Sequence, residues 1–333
     1  MKDVGIVGLP GAGSSTIFTA LTALPGAAPG RSNQAMVPVP DARVDHLSEL
    51  HRSRKSVYAS LRFVETSGMV RKGARGSGGA LSAELLGHLR AADALLLVAR
   101  AFDGADPNAD VADLTLELIY ADLASVSNKV QRDAKIARTP EEKRALVTLE
   151  RAQAALERGE PLRTEPWDDD DRIAFQGLAL LTLKPYLVVA NADETSRPAP
   201  EGMVSVAGAL EAEVAGMDAA EAAELLESFG LAERGLATVI RALYEQLSLL
   251  TFLTAGETES RAWEVRRGAT APEAAGVIHS DFQRGFIKAE IVAYDALVAE
   301  GSWQAARAKG LVRQEGKTYI VQEGDVVEFR FAV

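Results

Sequence analysis

The stretch Val4-Gly5-Ile6-Val7-Gly8-Leu9-Pro10-Gly11-Ala12-Gly13-Ser14-Ser15-Thr16 decides the fold of this 333-residue chain. Its first residues form an apolar run that predicts a short buried strand, and the glycines after them predict a tight turn. A helix is predicted from about residue 15 to residue 24. In a strand–turn–helix unit of this kind, backbone N–H groups and the helix N-terminus face an anion. The stretch therefore predicts a phosphate-binding loop over residues 8–16.

This loop lacks the lysine of the usual pattern G-x-x-x-x-G-K-[ST], in which lysine reaches the terminal phosphates and the next hydroxyl holds magnesium. Ser14 stands at the lysine position, and Ser15 keeps the hydroxyl. Each charge-assisted hydrogen bond lost is worth roughly 1.5–3 kcal/mol, so nucleotide affinity is expected to fall about tenfold to a hundredfold. Hydrolysis suffers more, because the lysine charge stabilises the transition state. On these residues alone, a glycine-rich turn without any ligand remains the alternative.

The pattern after the loop predicts a parallel α/β sheet. Further strands are predicted at residues 60–65, 94–99, 185–191 and 202–207, and the Pro- and Gly-rich residues 25–40 predict a loop. Because strands alternate with helices, ligands are expected at the carboxyl ends of the strands.

Two interruptions of this alternation predict additional parts. Apolar residues at helical spacing on both sides of Pro140 predict two antiparallel helices within residues 110–160. The acidic run 168–171 is predicted to start a helix, with a metal site as the weaker alternative. From about residue 251 the pattern becomes strand-rich, with strands predicted at 319–321 and 326–331, and indicates a small mixed α/β domain.

Composition and charge limit the function. The chain has no cysteine, which excludes disulfides and thiolate chemistry. Its net charge is −11, which argues against a general affinity for nucleic acid, so no DNA partner is expected. No apolar run is long enough to span a bilayer and the first residues show no signal-peptide pattern, so a cytoplasmic location and no membrane partner are predicted. Residues 51–90 carry net +6 and residues 91–250 net −14, so a basic face for a phosphate-rich partner and an ordinary solvated surface are equally compatible with the charges.

Several long segments resemble the Obg-like (YchF-type) P-loop ATPase family. The loop GLPGAGSST is similar to the family's GLPNVGKST, and residues 37–43 (VPVPDAR) and 63–70 (FVETSGMV) are similar to VPVPDPR and FVDIAGLV. Residues 181–185 match LTLKP, and NADE at 191–194 matches the family's NxxE base-recognition motif. The resemblance is strongest in the C-terminal segments 252–256, 261–263, 268–272, 275–282 and 285–287, and it covers nearly the whole chain.

The resemblance implies an α/β fold with three parts. These are a P-loop NTPase (TRAFAC GTPase-like) domain at residues 1–108 and 168–250, a helical hairpin (antiparallel coiled coil) at 109–167, and a TGS-type β-grasp domain at 251–333. It also implies a preference for ATP over GTP, slow hydrolysis with Mg²⁺, and association with ribosomes through ribosomal RNA or protein.

Site residues are implied by the same resemblance. The phosphates are expected at Gly8, Gly11, Gly13, Ser14, Ser15 and Thr16, and the base at Asn191, Glu194, Ser205 and Ala207. Glu65, Gly68 and Met69 are expected to form the second switch, and Ser15 and Glu65 to hold Mg²⁺.

The departures from the family pattern fall on the phosphate chemistry. Besides Ser14, the family's aspartate is replaced by Glu65, and no threonine-bearing first switch is evident between residues 29 and 36. Weak or lost hydrolysis is therefore predicted, with the basic cluster Arg71, Lys72 and Arg75 as a candidate source of replacement charge. Three hypotheses remain: a nucleotide-binding regulator of translation, a nucleotide-independent scaffold that binds ribosomes or protein, and an active ATPase with an unconventional site.

Overall fold

The computed structural model describes residues 1–26, 31–66, 69–71, 79–193, 199–231 and 234–332. The chain forms two compact units. The larger one, here called the loop unit, holds Lys2–Ala35 and Arg62–Val239. The other, here called the C-terminal unit, holds Met1, Met36–Leu61 and Ile240–Val333.

The strands are numbered in chain order. They are β1 (Lys2–Gly8), β2 (Ser32–Pro38), β3 (Ser56–Val57), β4 (Ser60–Thr66), β5 (Met69–Arg71), β6 (Gly79–Leu81), β7 (Ala94–Ala101), β8 (Tyr186–Ala192), β9 (Met203–Val206), β10 (Leu249–Ala255), β11 (Ser260–Arg266), β12 (Phe286–Ala293), β13 (Arg313–Glu315) and β14 (Asp325–Phe331).

The helices are numbered in the same way. They are α1 (Ser14–Thr22), α2 (Ala42–His51), α3 (Ala83–Ala91), α4 (Pro107–Ile136), α5 (Pro140–Glu157), α6 (Asp169–Ala174), α7 (Gly208–Val214), α8 (Ala219–Ser228), α9 (Gly235–Gln246), α10 (Ala271–Ile278), α11 (Ser280–Arg284), α12 (Tyr294–Glu300) and α13 (Trp303–Ala308).

The predicted parallel sheet is confirmed, in the order β2-β4-β1-β7-β8-β9. β7 pairs in parallel with both β1 and β8, and β8 pairs in parallel with β9. Strand β7 is almost wholly buried, which accounts for its continuous apolar sequence. These parallel pairings bring the carboxyl ends of β1, β7, β8 and β9 to one edge of the sheet, where the phosphate loop follows β1.

One sequence prediction is wrong here. Residues 25–40 were expected to be a loop, but Ser32–Pro38 form the edge strand β2. The strand is mostly exposed, so its polar residues are tolerated on both faces and hide the alternation that identifies a half-buried strand.

The predicted helical hairpin is also confirmed. α4 runs for 30 residues and α5 for 18, and the turn between them ends in a capping box formed by Thr139 and Glu142. The two helices share an apolar core that includes Val126, Leu149 and Leu156. The acidic run starts a helix as predicted, because Asp168 caps α6 and shares a capping box with Asp171.

A buried carboxylate joins the hairpin helix α4 to the segment before β8. Asp122 on α4 is fully buried and accepts hydrogen bonds from Leu181 N (2.9 Å), Thr182 N (2.7 Å) and Thr182 Oγ1 (2.7 Å). Burial raises the pKa of the Asp122 carboxyl above its ordinary value, because desolvation outweighs these hydrogen bonds. Asp122 therefore holds the segment that leads into β8.

Replacing Asp122 with alanine is expected to lower the free energy of unfolding by about 3 kcal/mol or more, because two N–H groups and one hydroxyl lose their acceptor in a buried place. Gln131→Ala, at an exposed position of the same helix, should change it by less than about 0.5 kcal/mol. Urea unfolding of the two variants measures the difference. Equal stability of the two variants would show that Asp122 does not anchor the hairpin.

The C-terminal unit is a mixed sheet with short helices, in the strand order β13-β12-β14-β10-β11-β3. β10 pairs antiparallel with β11 and parallel with β14, around a core that includes Phe252, Ala275 and Ile291. The strand predicted at 326–331 is confirmed as β14. The strand predicted at 319–321 is wrong, because this segment makes only an isolated bridge between Ile320 and Thr270.

No helix among the described residues is both long and apolar enough to cross a membrane.

Candidate functional site

The backbone of the phosphate loop has the conformation that exposes its N–H groups. Gly11 and Gly13 both have φ of +87°, in the left-handed region where a side chain is strained. Gly13 is the N-cap residue of α1, and no side chain caps this helix end. The first N–H groups of α1 therefore have no intrahelical acceptor, and they form a binding site for an anion such as phosphate.

Ser14 does not replace the lysine. Its hydroxyl is buried and has no hydrogen-bond partner among the described residues. It lies against Gly8, where an added Cβ atom would be 2.5 Å from Ser14 Oγ. The side chain therefore lies inside the loop, along the path that a longer side chain would follow across Gly8.

Ser15 and Glu65 come together at the mouth of the loop. Ser15 Oγ donates a hydrogen bond to Glu65 Oε1, and the Glu65 side chain, near the end of β4, is only 2% exposed. A hydroxyl and a carboxylate are oxygen ligands of the kind that Mg²⁺ takes. The donor set therefore fits this ion, and Ser15 and Glu65 are the residues that would hold it.

The loop lines a pocket of about 300 Å³. Among the described residues that line it, none is basic and Glu65 is acidic. Among these residues, the positive potential toward a phosphate comes from backbone N–H groups and the N-terminus of α1. Thr66 also lines the pocket, and a hydrogen bond of 2.5 Å joins its Oγ1 to His88 Nδ1.

Asn191 fastens the loop to the sheet. The residue lies in β8, is 5% exposed, and donates from Nδ2 to the carbonyl of Ala12 at 2.9 Å. A Cβ atom added to Gly13 would lie 2.1 Å from Asn191 Nδ2, and one added to Gly208 would lie 2.3 Å from Asn191 Oδ1. The Asn191 amide is thus packed between two glycines, and it sets the position of the phosphate loop.

The segment predicted to lie beside the base connects to α9. Ser205 is exposed in β9, and Ala207 is the N-cap residue of α7. The buried Glu211 on α7 accepts hydrogen bonds from Gly235 N (2.9 Å) and Leu236 N (3.2 Å), the first N–H groups of α9. Burial raises the pKa of the Glu211 carboxyl above its ordinary value.

The structure brings together most of the predicted site residues, but not all of them are described. Gly68 and Glu194 lie outside the described residues, as do Lys72 and Arg75 of the basic cluster. Met69 and Arg71 are described only as backbone of β5.

Two family-like motifs outside the loop have structural contacts. In LTLKP, Lys184 Nζ donates to the carbonyls of Arg90 (3.0 Å) and Ala92, at the end of α3. In VPVPDAR, Asp41 caps α2, and Arg43 makes salt bridges to Asp41 (2.7 Å) and Glu323 (2.7 Å) within the C-terminal unit. The first motif therefore supports the fold of the loop unit, and the second supports the fold of the C-terminal unit.

Sequence reasoning missed Glu211, Gly208 and the pair of Thr66 and His88. Gly208 carried a signal, because it directly follows the segment predicted to lie beside the base. Glu211 and His88 carried none, since each is one of many polar residues on a helix.

Comparisons with known proteins cover the whole chain. Residues 249–332 match the family model YchF-GTPase_C, described as a protein of unknown function (DUF933). The chain is 38% identical over 365 residues to the ribosome-binding ATPase YchF of Bacillus subtilis (strain 168), with 99% of both chains covered. It is 34% identical to Obg-like ATPase 1 of Oryza sativa subsp. japonica, with 99% of this chain and 92% of the relative covered. The solved structure of the Schizosaccharomyces pombe YchF GTPase matches with a TM-score of 0.85 at 29% identity, covering 99% of this chain and 97% of that one.

Proposed function

Because this chain belongs to the family of YchF and Obg-like ATPases, we propose that it is an ATP-preferring, nucleotide-binding regulatory protein of the ribosome whose hydrolytic activity is weak or lost. One observation carries the proposal. The backbone of the phosphate loop and its support by Asn191 are intact, whereas no basic side chain among the described residues lines the pocket.

The phosphates bind in this proposal to backbone N–H groups of residues 8–16, with the hydroxyls of Ser15 and Thr16 at the start of α1. Binding needs donors and a favourable dipole, and both are present. Hydrolysis needs in addition a cation that stabilises the charge of the transferring phosphoryl group. Ser14 supplies none, and this difference supports a protein that binds ATP without efficient turnover.

The adenine lies in the proposal beside Asn191, Glu194, Ser205 and Ala207. An asparagine amide donates and accepts, and a glutamate accepts from an exocyclic amine, so the pair suits adenine. One hydrogen of Asn191 Nδ2 is engaged by the Ala12 carbonyl, which leaves the other for a ligand. Asn191 therefore links the base to the phosphate loop.

Mg²⁺ would be held by Ser15 and Glu65 and would supply positive charge to the phosphates. Glu65 places its carboxylate about 1.5 Å farther along the side chain than aspartate does. An octahedral magnesium shell tolerates little displacement. The weakened metal site supports slow or absent hydrolysis, and Glu65, Gly68 and Met69 form the second switch in this account.

The ribosome is the proposed partner because relatives bear names such as ribosome-binding ATPase. A cytoplasmic location follows from that partner. We retain the three-part division into a P-loop domain at 1–108 and 168–250, a helical hairpin at 109–167 and a TGS-type β-grasp domain at 251–333. The compact units differ from it in joining Met36–Leu61 to the C-terminal residues.

Two alternatives make different predictions. A nucleotide-independent scaffold would use the hairpin and the C-terminal unit alone, and the absence of basic residues in the described pocket lining favours it. An active ATPase with an unconventional site would use the preserved pair Ser15 and Glu65, whose hydrogen bond favours it.

Sedimentation with purified ribosomes, together with ATP turnover, separates the three functions. We expect association to differ between samples with ATP, with ADP and without nucleotide, and turnover to stay near background. Association that is the same in all three samples would favour the scaffold. Magnesium-dependent turnover that Ser15→Ala abolishes would establish the active ATPase.

A further inference from the structure

The end of the helical hairpin is a basic segment of a chain that is acidic overall. Residues 129–144, here called the hairpin tip, contain six Lys/Arg against three Asp/Glu, a net charge of +3. Since the whole chain carries −11, the rest of it carries −14. The tip is therefore a local site of attraction for a polyanion, whereas the rest of the chain is acidic in sum.

The tip is also fully accessible within the hairpin. From residue 131 to residue 144 no residue is buried, and the shared core of the two helices ends with the partly buried Val130. α4 has 30 residues, which corresponds to a length of about 45 Å. The tip thus lies at the far end of a long helix pair.

Two of the three acidic residues of the tip, Asp133 and Glu142, are already engaged. Asp133 accepts salt bridges from Lys129 (2.8 Å) and Arg132 (3.2 Å). The carboxylate of Glu142 accepts hydrogen bonds from the backbone N–H groups of Arg138 (2.7 Å) and Thr139 (3.0 Å). These two carboxylates therefore serve the tip's own cations and backbone.

Three cations of the tip remain outside its salt bridges, although Arg138 lies near Glu142 and its guanidinium donates to the carbonyls of Ala137 and Lys135. Lys135, Arg138 and Lys143 make no salt bridge among the described residues, and all three are exposed. They lie on the two sides of the turn that joins α4 to α5. A ligand with several negative charges spaced along a backbone matches such a set.

We propose that the hairpin tip binds the phosphate backbone of RNA, with Lys135, Arg138 and Lys143 as the main contacts. The inference rests on the proposed association with the ribosome and identifies the surface and the chemistry of the contact. Phosphate contacts of this kind orient a protein on RNA without reading its sequence. Because the chain outside the tip is acidic in sum, it adds no net attraction for RNA, although residues 51–90 are a second basic segment.

RNA is favoured over an acidic protein because Ile136 is the one large apolar side chain exposed in the tip, and stable protein interfaces need a desolvated centre. It is favoured over the C-terminal unit as the RNA-binding surface because residues 251–333, which form most of that unit, carry net −2. There Arg261 lies over Trp263, and Arg284 pairs with Asp281.

Fluorescence anisotropy with a fluorescein-labelled 20-base-pair RNA duplex tests the proposal at several salt concentrations. The tip variant is Lys135→Gln, Arg138→Gln and Lys143→Gln. The control variant is Arg266→Gln, Arg267→Gln and Lys317→Gln. It removes from the C-terminal unit three exposed cations that make no salt bridge with any residue the structure describes. Circular dichroism and ATP binding are measured on both variants, and both should match the unmodified protein.

The tip variant should bind RNA about a hundredfold more weakly at roughly 0.1 M salt, and its plot of log K against log salt should be shallower by about 2–3. The control variant should bind within about twofold of the unmodified protein. The proposal would be overturned if both variants lost RNA affinity equally, or if the tip variant lost none. It would also be overturned if the unmodified protein bound sodium polyglutamate as tightly as RNA. No RNA binding with nucleotide-dependent ribosome sedimentation intact would overturn it and leave the proposed function standing.

Discussion

Gly13→Ala is expected to abolish detectable ATP binding and to lower the free energy of unfolding by about 3 kcal/mol or more. Two effects combine at this residue. Its φ of +87° strains any side chain, and the new Cβ would lie 2.1 Å from Asn191 Nδ2. Asn191 has little freedom to move, because it is bound to the Ala12 carbonyl and packed against Gly208.

Gly11→Ala is the matched control. Gly11 has the same φ of +87°, but nothing lies within 4 Å of an added Cβ atom. The free energy of unfolding of this variant should therefore fall only by the cost of the conformational strain, about 1–2 kcal/mol. The variant should keep most of its ATP affinity. Thermal unfolding and calorimetric titration measure both quantities.

The double variant Gly13→Ala, Asn191→Ala tests the cause. Removal of the Asn191 amide relieves the clash, so the two substitutions should be strongly non-additive in stability. Additive losses, or equal losses for Gly13→Ala and Gly11→Ala, would contradict the account of Asn191 as the residue that positions the loop.

Ser14→Lys is expected to raise ATP affinity about tenfold to a hundredfold, through one charge-assisted interaction worth roughly 1.5–3 kcal/mol. The pocket has no basic side chain among its described lining residues, so the new charge would meet no competitor. Gly8 bears no side chain beside Ser14 Oγ, so no side chain at residue 8 blocks the start of the lysine stem. Without Mg²⁺, the variant should also bind ATP more tightly than the unmodified protein does, since lysine then supplies charge that the ion otherwise provides.

Ser14→Met separates charge from length, because methionine fills a similar path without a cation and should bind ATP as the unmodified protein does. ATP turnover by Ser14→Lys should rise only modestly, since Glu65 still stands at the position where the family pattern has aspartate. Equal ATP affinity of the lysine and methionine variants would show that missing charge does not limit binding.

The local parts of the fold were predictable because their signals lie within short windows. The glycine spacing of residues 8–13 predicts the turn between β1 and α1, and helical periodicity on both sides of Pro140 predicts the hairpin. Strand β2 was not predictable, because an exposed edge strand needs no apolar alternation. Sequence patterns predict which residues surround the loop, but they do not predict the contacts between those residues.

Asn191 illustrates this limit. The sequence suggests a base-binding residue, whereas the structure adds contacts with Ala12, Gly13 and Gly208. Ala12 and Gly13 are about 180 positions from Asn191 along the chain. They meet it only because β8 lies two strands from β1 in the sheet. Glu211 and Asp122 are similar cases, since a buried carboxylate is recognised only when its backbone donors are known.

The central claim is that the loop still binds ATP through its backbone although it lacks the lysine. Calorimetric titration of the purified protein with ATP and with GTP, each with and without Mg²⁺, tests it most directly. The account predicts micromolar binding of ATP with Mg²⁺, weaker binding of GTP, and a marked loss of affinity when Mg²⁺ is removed. No heat with either nucleotide at millimolar concentration would contradict it and would leave the nucleotide-independent scaffold as the function of this protein.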